Sequence, residues 1–409
     1  IYIEAKSCII VYGMGITQHR QGTQNVQQIA NLLLMRGNFG RPGAGICPVR
    51  GHSNVQGDRT VGITEIPSPE LLAQIEKVFS FPPPKHHGHA VVDAVTAMID
   101  GRAEVFVGLG GNFVAATPDT ESLRSAMRRL KLTVAINTKL NRGHVVHGQE
   151  ALILPCLARS DVDIQATGRQ SVTVEDSMSM VHASGGLFTP PSPHLKSEVA
   201  IICGMARATL PASGIGWEAF EGNYDLIRDK IEAVYPKLFA NFNARIRQPG
   251  GFHLYNGPRE LVWDTANRRA NFLVCRGVCD DPATQRADAL TLTTIRSHDQ
   301  YNTTIYTLND RYRGVFGGRM VVFMNEDDMT DRRIEEDSIV ELVSLADPKK
   351  QRAVSGFKVR PYKIPRGCIA SYYPETNDLM PVEHFDPLSK TPSAKSIPVL
   401  VRSVAAQAS

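Results

Sequence analysis

The sequence predicts an α/β protein with Rossmann-like parallel-sheet units, followed by a C-terminal β-barrel domain. Apolar runs at 8–12 and 104–107 each lead into a glycine turn and then a helical stripe, the order of strand, loop and crossover helix in a parallel sheet. From about residue 290 the texture changes to short β-type runs separated by Gly, Pro and Asp turns, which favours a barrel. A chain of 409 residues, 42% hydrophobic, can bury more than one core. Four stretches are expected: α/β structure over 1–55, a second Rossmann-like unit over 56–160, connecting α+β structure over 161–289, and the barrel over 290–409.

The run at 8–12 reads as a strand ending in Gly13-Met14-Gly15. Thr23 is placed to cap a helix in which Val26, Ile29, Ala30, Leu33 and Leu34 share one face, with Gly37 as the stop. With the Gly-rich loop 40–45 this makes half of a nucleotide-binding unit, whose strand-end loops can hold phosphate. Residues 64–88 are Pro-rich. The segment 82–89 reads as a surface loop, because His86, His87 and His89 lack a spacing that would make them converge on a metal. Val91, Val95, Met98 and Ile99 form a helical stripe closed by Gly101. Residues 104–107 read as a buried strand and 108–112 as its turn. Thr117-Pro118 opens a helix bearing Leu123, Ala126, Met127 and Leu130, and 132–136 is the next strand. That is a βαβ unit with a right-handed crossover.

A further strand is expected at 151–155. Glu175 and Asp176 are adjacent in an extended stretch, so they point to opposite faces and read as solvent contacts rather than an acid/base pair. Asn223 caps a helix carrying Ile227, Ile231, Val234 and Tyr235, stopped by Pro236. Residues 241–290 read as connecting structure, and barrel strands are expected at 290–295, 319–324, 338–343 and 354–359.

The net charge of +4, without a Lys/Arg block, gives no reason to expect a nucleic-acid partner. No apolar run approaches the ~20 residues of a membrane span. Seven dispersed cysteines read as reduced thiols of a cytoplasmic protein rather than a disulfide frame. Cys275 and Cys279 are the only close pair, and a cubane cluster needs four thiolates. The chain opens on Ile1-Tyr2-Ile3-Glu4 and enters a strand almost at once, so it reads as the C-terminal part of a longer protein.

Chemistry concentrates in 47–58. Glycines at 45, 51 and 57 let backbone pass close to a ligand, and Arg50 stands among the hydrogen-bonding His52, Ser53, Asn54 and Gln56. Such a loop suits a bulky anion on one side and a small carboxylate on the other, although a purely structural loop is equally compatible with these residues. The turn Gly110-Gly111-Asn112 is shared by many nucleotide and thiamine enzymes. Three polar strings occur in the C-terminal region: Arg296-Ser297-His298-Asp299-Gln300-Tyr301-Asn302-Thr303, Tyr372-Tyr373-Pro374-Glu375-Thr376-Asn377 and Thr391-Pro392-Ser393-Ala394-Lys395. Their aromatic, amide and basic groups suit a flat hydrogen-bonding ring with phosphates; ordinary barrel loops are the other reading.

Four segments in order resemble the molybdenum/tungsten bis(molybdopterin guanine dinucleotide) oxidoreductases, especially their formate-dehydrogenase-like branch. They are Gly13-Met14-Gly15-Ile16-Thr17-Gln18-His19, the 31–38 helix end, Arg41-Pro42-Gly43-Ala44-Gly45, and Val49-Arg50-Gly51-His52-Ser53-Asn54-Val55-Gln56-Gly57. The resemblance implies bis-MGD with molybdenum or tungsten, two-electron oxidation of a small substrate such as formate, and a redox partner protein. Arg50 would hold the substrate carboxylate beside the metal. Gly51, Asn54 and Gly57, then Gly110, Gly111, Asn112, Asn137 and Thr138, would line the cofactor. Arg296, His298, Gln300, Tyr301 and Asn302, with Tyr373, Asn377 and Lys395, would cap it from the barrel. In formate dehydrogenases the motif usually reads Arg-Gly-Gln-Asn-Asn. His52 and Ser53 depart from that pattern and change the cation's neighbours. The family's metal-ligating residue and its 4Fe-4S cysteines would lie upstream, and no residue of this chain is assigned to metal. A non-catalytic pterin-binding scaffold and a thiamine-diphosphate enzyme remain alternatives from sequence.

Overall fold

The computed structural model describes residues 1–275 and 286–404, so Cys279 and its pairing with Cys275 lie outside the described residues. The chain begins with β1 (Ile9–Tyr12), the single-turn α1 (Met14–Thr17), α2 (Gly22–Met35) and β2 (Gly45–Pro48). β1 and β2 pair in parallel. α2 buries Leu33 and ends where Gly37 takes φ +61°. The N–H groups of Gly37 and Asn38 there return to the carbonyls of Leu34 and Leu33. Thr23 is not the cap. The helix starts a residue earlier, and the Thr23 N–H and hydroxyl both donate to Asp386 at 2.8 and 2.5 Å. A carboxylate from the far end of the chain thus meets an orphan donor of the first turn.

The 47–58 stretch is more regular than its sequence suggests, because pairing with β1 draws Cys47 and Pro48 into β2 and α3 (Val55–Thr60) follows. The Pro-rich stretch likewise contains α4 (Pro69–Phe79). Ser68 caps it by accepting from the Leu71 N–H, and Pro69 occupies the position where a missing N–H costs nothing. The three histidines of the 82–89 loop are exposed.

The second unit runs α5 (Val91–Ile99), β3 (Val105–Leu109), α6 (Phe113–Ala116), α7 (Thr120–Met127), β4 (Leu132–Asn137) and β5 (Glu150–Pro155). The sheet is parallel throughout, in order β3-β4-β5. Val92, Val95, Leu123, Ala126 and Leu130 form its core with the helices. Two expectations need correction. β3 is not buried on both faces: Val105, Val107 and Leu109 are exposed, and Phe106 turns toward the core. The helix expected at Thr117-Pro118 begins at Thr120, because the residue before a proline avoids the helical region and Thr117 is extended (ψ 143°).

A two-residue ladder, β6 (Ile164–Gln165) and β7 (Gly168–Arg169), precedes the hairpin of β8 (Val172–Glu175) and β9 (Met180–Ser184). β10 (Phe252–His253) extends that hairpin. Helices α8 (Glu198–Thr209), α9 (Trp217–Gly222), α10 (Tyr224–Val234) and α11 (Phe242–Ile246) lie between. Asn223 caps α10 as expected, accepting from the Asp225 N–H at 3.0 Å. Glu175 is not a solvent contact: it is 6% exposed.

The C-terminal region is a closed six-stranded barrel. Its strands are β11 (Leu290–Ile295), β12 (Val321–Met324), β13 (Ile339–Ser344), β14 (Arg352–Pro361), β15 (Cys368–Tyr372) and β16 (Ile397–Ser403), in order β11-β15-β12-β14-β13-β16. The short α12 (Glu326–Arg332) links β12 to β13. Leu292, Val322, Leu342, Phe357, Ile369 and Val399 fill the interior with no accessible surface. Burial alternates along β11, which is the two-residue period read from sequence. No helix among the described residues is long and apolar enough to cross a membrane.

Candidate cofactor and substrate site

Loops at the carboxyl ends of parallel strands are where α/β sheets hold ligands. Here those ends carry 49–54 after β2, 110–112 after β3 and 137–138 after β4, and the barrel's polar strings come against them. Lys395 N–H donates to the Gln18 carbonyl, and the Tyr373 hydroxyl donates to the Ala116 carbonyl at 3.0 Å. Asn377 Nδ2 donates to the Ala115 carbonyl at 2.8 Å, and Asn112 Nδ2 to the Thr303 carbonyl at 3.3 Å. The barrel is thereby fastened to both α/β units, with a polar seam between them.

Arg50 is exposed, and its Nη2 donates to Gln56 Oε1 at 3.3 Å. Among the described residues it makes no ion pair. Asn54 stands at the head of α3 in the left-handed region (φ +63°) without capping it by its side chain; its Oδ1 accepts instead from the Glu175 N–H at 3.0 Å. A Cβ at Gly57 would fall 1.9 Å from Asn54 Oδ1, so a larger residue there would push Asn54 off its bond to the Glu175 N–H. His52 reaches across to the barrel, with Nε2 3.4 Å from Asn302 Nδ2 and its ring 5.9 Å from that of Tyr301. Two glycines in succession, Gly110 and Gly111, take φ +74° and +75°, and a Cβ on either would meet nothing. Such a turn leaves open space beside its backbone.

The seam contains two cations without acidic partners among the described residues. Burial, then the charge of Arg296, brings the Lys395 ammonium down to a pKa of about 8. It donates to the carbonyl and hydroxyl of Thr294. Arg296 lies 5.9 Å from the centre of the Tyr373 ring. Burial pushes the Tyr373 phenol up to about 12, against the opposing charge of Arg296. Several buried oxygens also lack partners among the described residues: Asn112 Oδ1, Thr303 Oγ1, Asn377 Oδ1 and Ser393 Oγ. Leaving such groups unpaired costs about 1–3 kcal/mol each, so they call for a hydrogen-bonding occupant. Amide acceptors, hydroxyls, an open double-glycine turn and two unneutralised cations fit a pterin or guanine ring bearing phosphates.

Not every predicted residue converges there. Asn137 lines one pocket with Gly110, Gly111 and Asn112 while its Nδ2 bonds His144 Nε2 at 3.1 Å, but Thr138 lines a separate cavity of about 320 Å³ with Arg159, Ser184 and Glu198. His298 turns to Asp310, 3.0 Å away, and packs on Tyr312. Gln300 holds the backbone at Tyr373, donating to its carbonyl at 2.7 Å. Gly51 is exposed, and a Cβ there meets nothing within 4 Å, as at Gly110 and Gly111. Thr303, Ser393 and Glu175 are additions that sequence reasoning missed. Thr303 and Ser393 lie within the polar strings 296–303 and 391–395, whereas the burial of Glu175 depends on a contact 119 residues away. No group of three or more His, Cys, Asp or Glu among the described residues can hold a metal ion.

Comparison with known proteins agrees with this geometry. The molybdopterin oxidoreductase profile matches residues 2–145, and the molybdopterin dinucleotide binding domain profile matches 290–398. Protein YdeP of Escherichia coli (strain K12) is 50% identical over 400 residues, which are 97% of this chain and 53% of the relative. The chain therefore spans about half the length of that relative. Formate dehydrogenase H of the same organism is 29% identical over 143 residues, covering 33% of this chain and 20% of its own. Acetylene hydratase from Pelobacter acetylenicus shares the fold, with a TM-score of 0.56 at 11% identity over 94% of this chain and 59% of that one. Parallel strand-end loops facing a C-terminal barrel, and both profiles in their expected places, lead to one conclusion: this chain belongs to the molybdopterin oxidoreductase family.

Proposed function

We propose that this chain serves a two-electron oxidoreductase of the formate dehydrogenase type, acting on a small carboxylate such as formate. In this reading it binds bis-MGD in the seam and passes electrons to a redox partner protein. The bound molybdenum or tungsten supplies the two-electron acceptor. The protein's part is to bind, orient and exclude water. Asn112, Thr303, Asn377 and Ser393 would offer oxygens to the ring systems, and Lys395 and Arg296 would bind the phosphates. The dispersed free cysteines support a cytoplasmic setting.

One observation carries the substrate class. Arg50 is held by an amide carbonyl rather than a carboxylate, so its charge is oriented without being neutralised. A guanidinium in that state offers a planar two-point contact to a carboxylate stripped of water. Charge-assisted hydrogen bonds contribute about 1.5–3 kcal/mol each, so Arg50→Met should lower kcat/KM for formate about a hundredfold or more. Arg50→Lys keeps the charge and should retain more activity, and both variants should load metal normally. The test is metal content and kcat/KM for the full-length protein and the two variants. Normal turnover by Arg50→Met, or failure through absent metal alone, would make Arg50 structural and remove the carboxylate assignment.

A further inference from the structure

We infer that Glu175 is a positioning residue that holds Arg50 ready for an anion while keeping its charge available; this rests on the carboxylate-binding reading of Arg50. Glu175 ends β8, far from the 47–58 loop in sequence, yet the turn after β8 fastens that loop at several points. Ser177 Oγ donates to the Pro48 carbonyl at 2.5 Å, and the Glu175 N–H donates to Asn54 Oδ1. The Glu175 side chain accepts at Oε1 from Gln56 Nε2 at 2.9 Å, and Ser179 Oγ lies 3.5 Å from the same nitrogen.

The direction of this chain of bonds follows from chemistry. A carboxylate can only accept, so Gln56 must turn its NH2 toward Glu175. Its carbonyl oxygen is then the atom that faces Arg50 Nη2. The acid thus orients the cation through one intervening amide. A direct Glu–Arg pair would orient Arg50 equally well, but would spend its charge inside the protein. The other carboxylate oxygen, Glu175 Oε2, is buried with no hydrogen-bond partner among the described residues. A group kept for fold stability alone gains nothing from an unpaired buried oxygen.

Exchanging the two side chains separates positioning from packing. In Gln56→Glu/Glu175→Gln the atoms and the hydrogen-bond chain are retained, but the carboxylate now contacts Arg50 directly. The expected result in the full-length protein is an unchanged melting temperature, a KM for formate raised about tenfold or more, and kcat within a few-fold of wild type. Glu175→Ala should raise KM as well, while lowering stability. A readout independent of turnover is the rate at which phenylglyoxal modifies Arg50, followed by peptide mass spectrometry in the 409-residue chain. Sodium formate should protect Arg50 in the wild type and not in the exchanged pair. If the exchanged pair binds formate like wild type, with normal KM and normal protection, Glu175 is merely structural and the inference is overturned. If Arg50→Met itself leaves KM and kcat unaltered, the reading of Arg50 fails instead, and the two failures are distinguishable.

Discussion

Replacing Arg352 should show how the barrel is clamped to the second α/β unit. Arg352 on β14 and Asp119 at the head of α7 are 233 residues apart and only 8% and 5% exposed. The guanidinium spans the carboxylate with two contacts of 2.7 Å, and Asp347 lies 3.3 Å from its Nε. Asp119 also donates its N–H to the Asn377 and Met380 carbonyls, so the clamp sits beside the loop that carries Asn377 into the seam. Burial pushes the Asp119 carboxyl up, but hydrogen bonds from Arg352 and Ser122 outweigh it, and its pKa lies below the ordinary value. Arg352→Met leaves that carboxylate buried without its main partner, which costs about 3–5 kcal/mol. Asp119→Asn tolerates the left-handed backbone (φ +52°), and in the double variant no buried charge remains at Asp119. The double variant should therefore be more stable than Arg352→Met alone. Denaturant unfolding of the 409-residue chain, comparing the same transition in each protein, measures this. An Arg352→Met loss below about 1 kcal/mol, or a double variant no better than the single, would mean that this ion pair does not clamp the barrel. The sign with pH is fixed too. Because the folded carboxyl has the lower pKa, its contribution is full above the unfolded value of about 3.9 and disappears as pH falls through the folded one.

Asp386→Ala removes the carboxylate that receives both Thr23 donors, so α2 should lose about 1–2 kcal/mol, read as faster amide exchange in its first turn. Unchanged exchange there would mean that water replaces the carboxylate at no cost. Lys395 gives a second pH signature in the cofactor-free chain. Its folded pKa of about 8 lies below the ordinary 10.5, so between those values the unfolded chain holds a proton that the native chain has lost. Stability should therefore rise with pH across that window, and Lys395→Met should flatten the rise. Parallel stability–pH curves for the two proteins would contradict it.

What the sequence revealed was local. The stripe of α2 and its stop at Gly37, the βαβ of β3 and β4, and the two-residue alternation of β11 are each written within a few neighbouring residues. The misses depend on distant partners. Thr23 has the chemistry of a cap, but Asp386 claims its donors from 363 residues away. Glu175 reads as solvated because it stands beside Asp176 in an extended stretch, and nothing near it announces Gln56. An apolar run such as 104–107 reports a strand without saying whether one face or two will be covered. The site was legible as a set of polar strings. Which members turn inward was not, as His298 shows by pairing with Asp310.

A seam between the strand-end loops and the barrel that holds a molybdopterin guanine dinucleotide, as proposed above, must carry it through purification. The most direct test is the metal and nucleotide content of the purified full-length protein, by elemental mass spectrometry and by GMP released on acid hydrolysis. Molybdenum or tungsten should be present together with twice as much GMP, and both should be lost when Asn112 and Asn377 are replaced by leucine in a protein that still folds. A folded, pure protein from a molybdenum-replete host that contains neither metal nor GMP would contradict it.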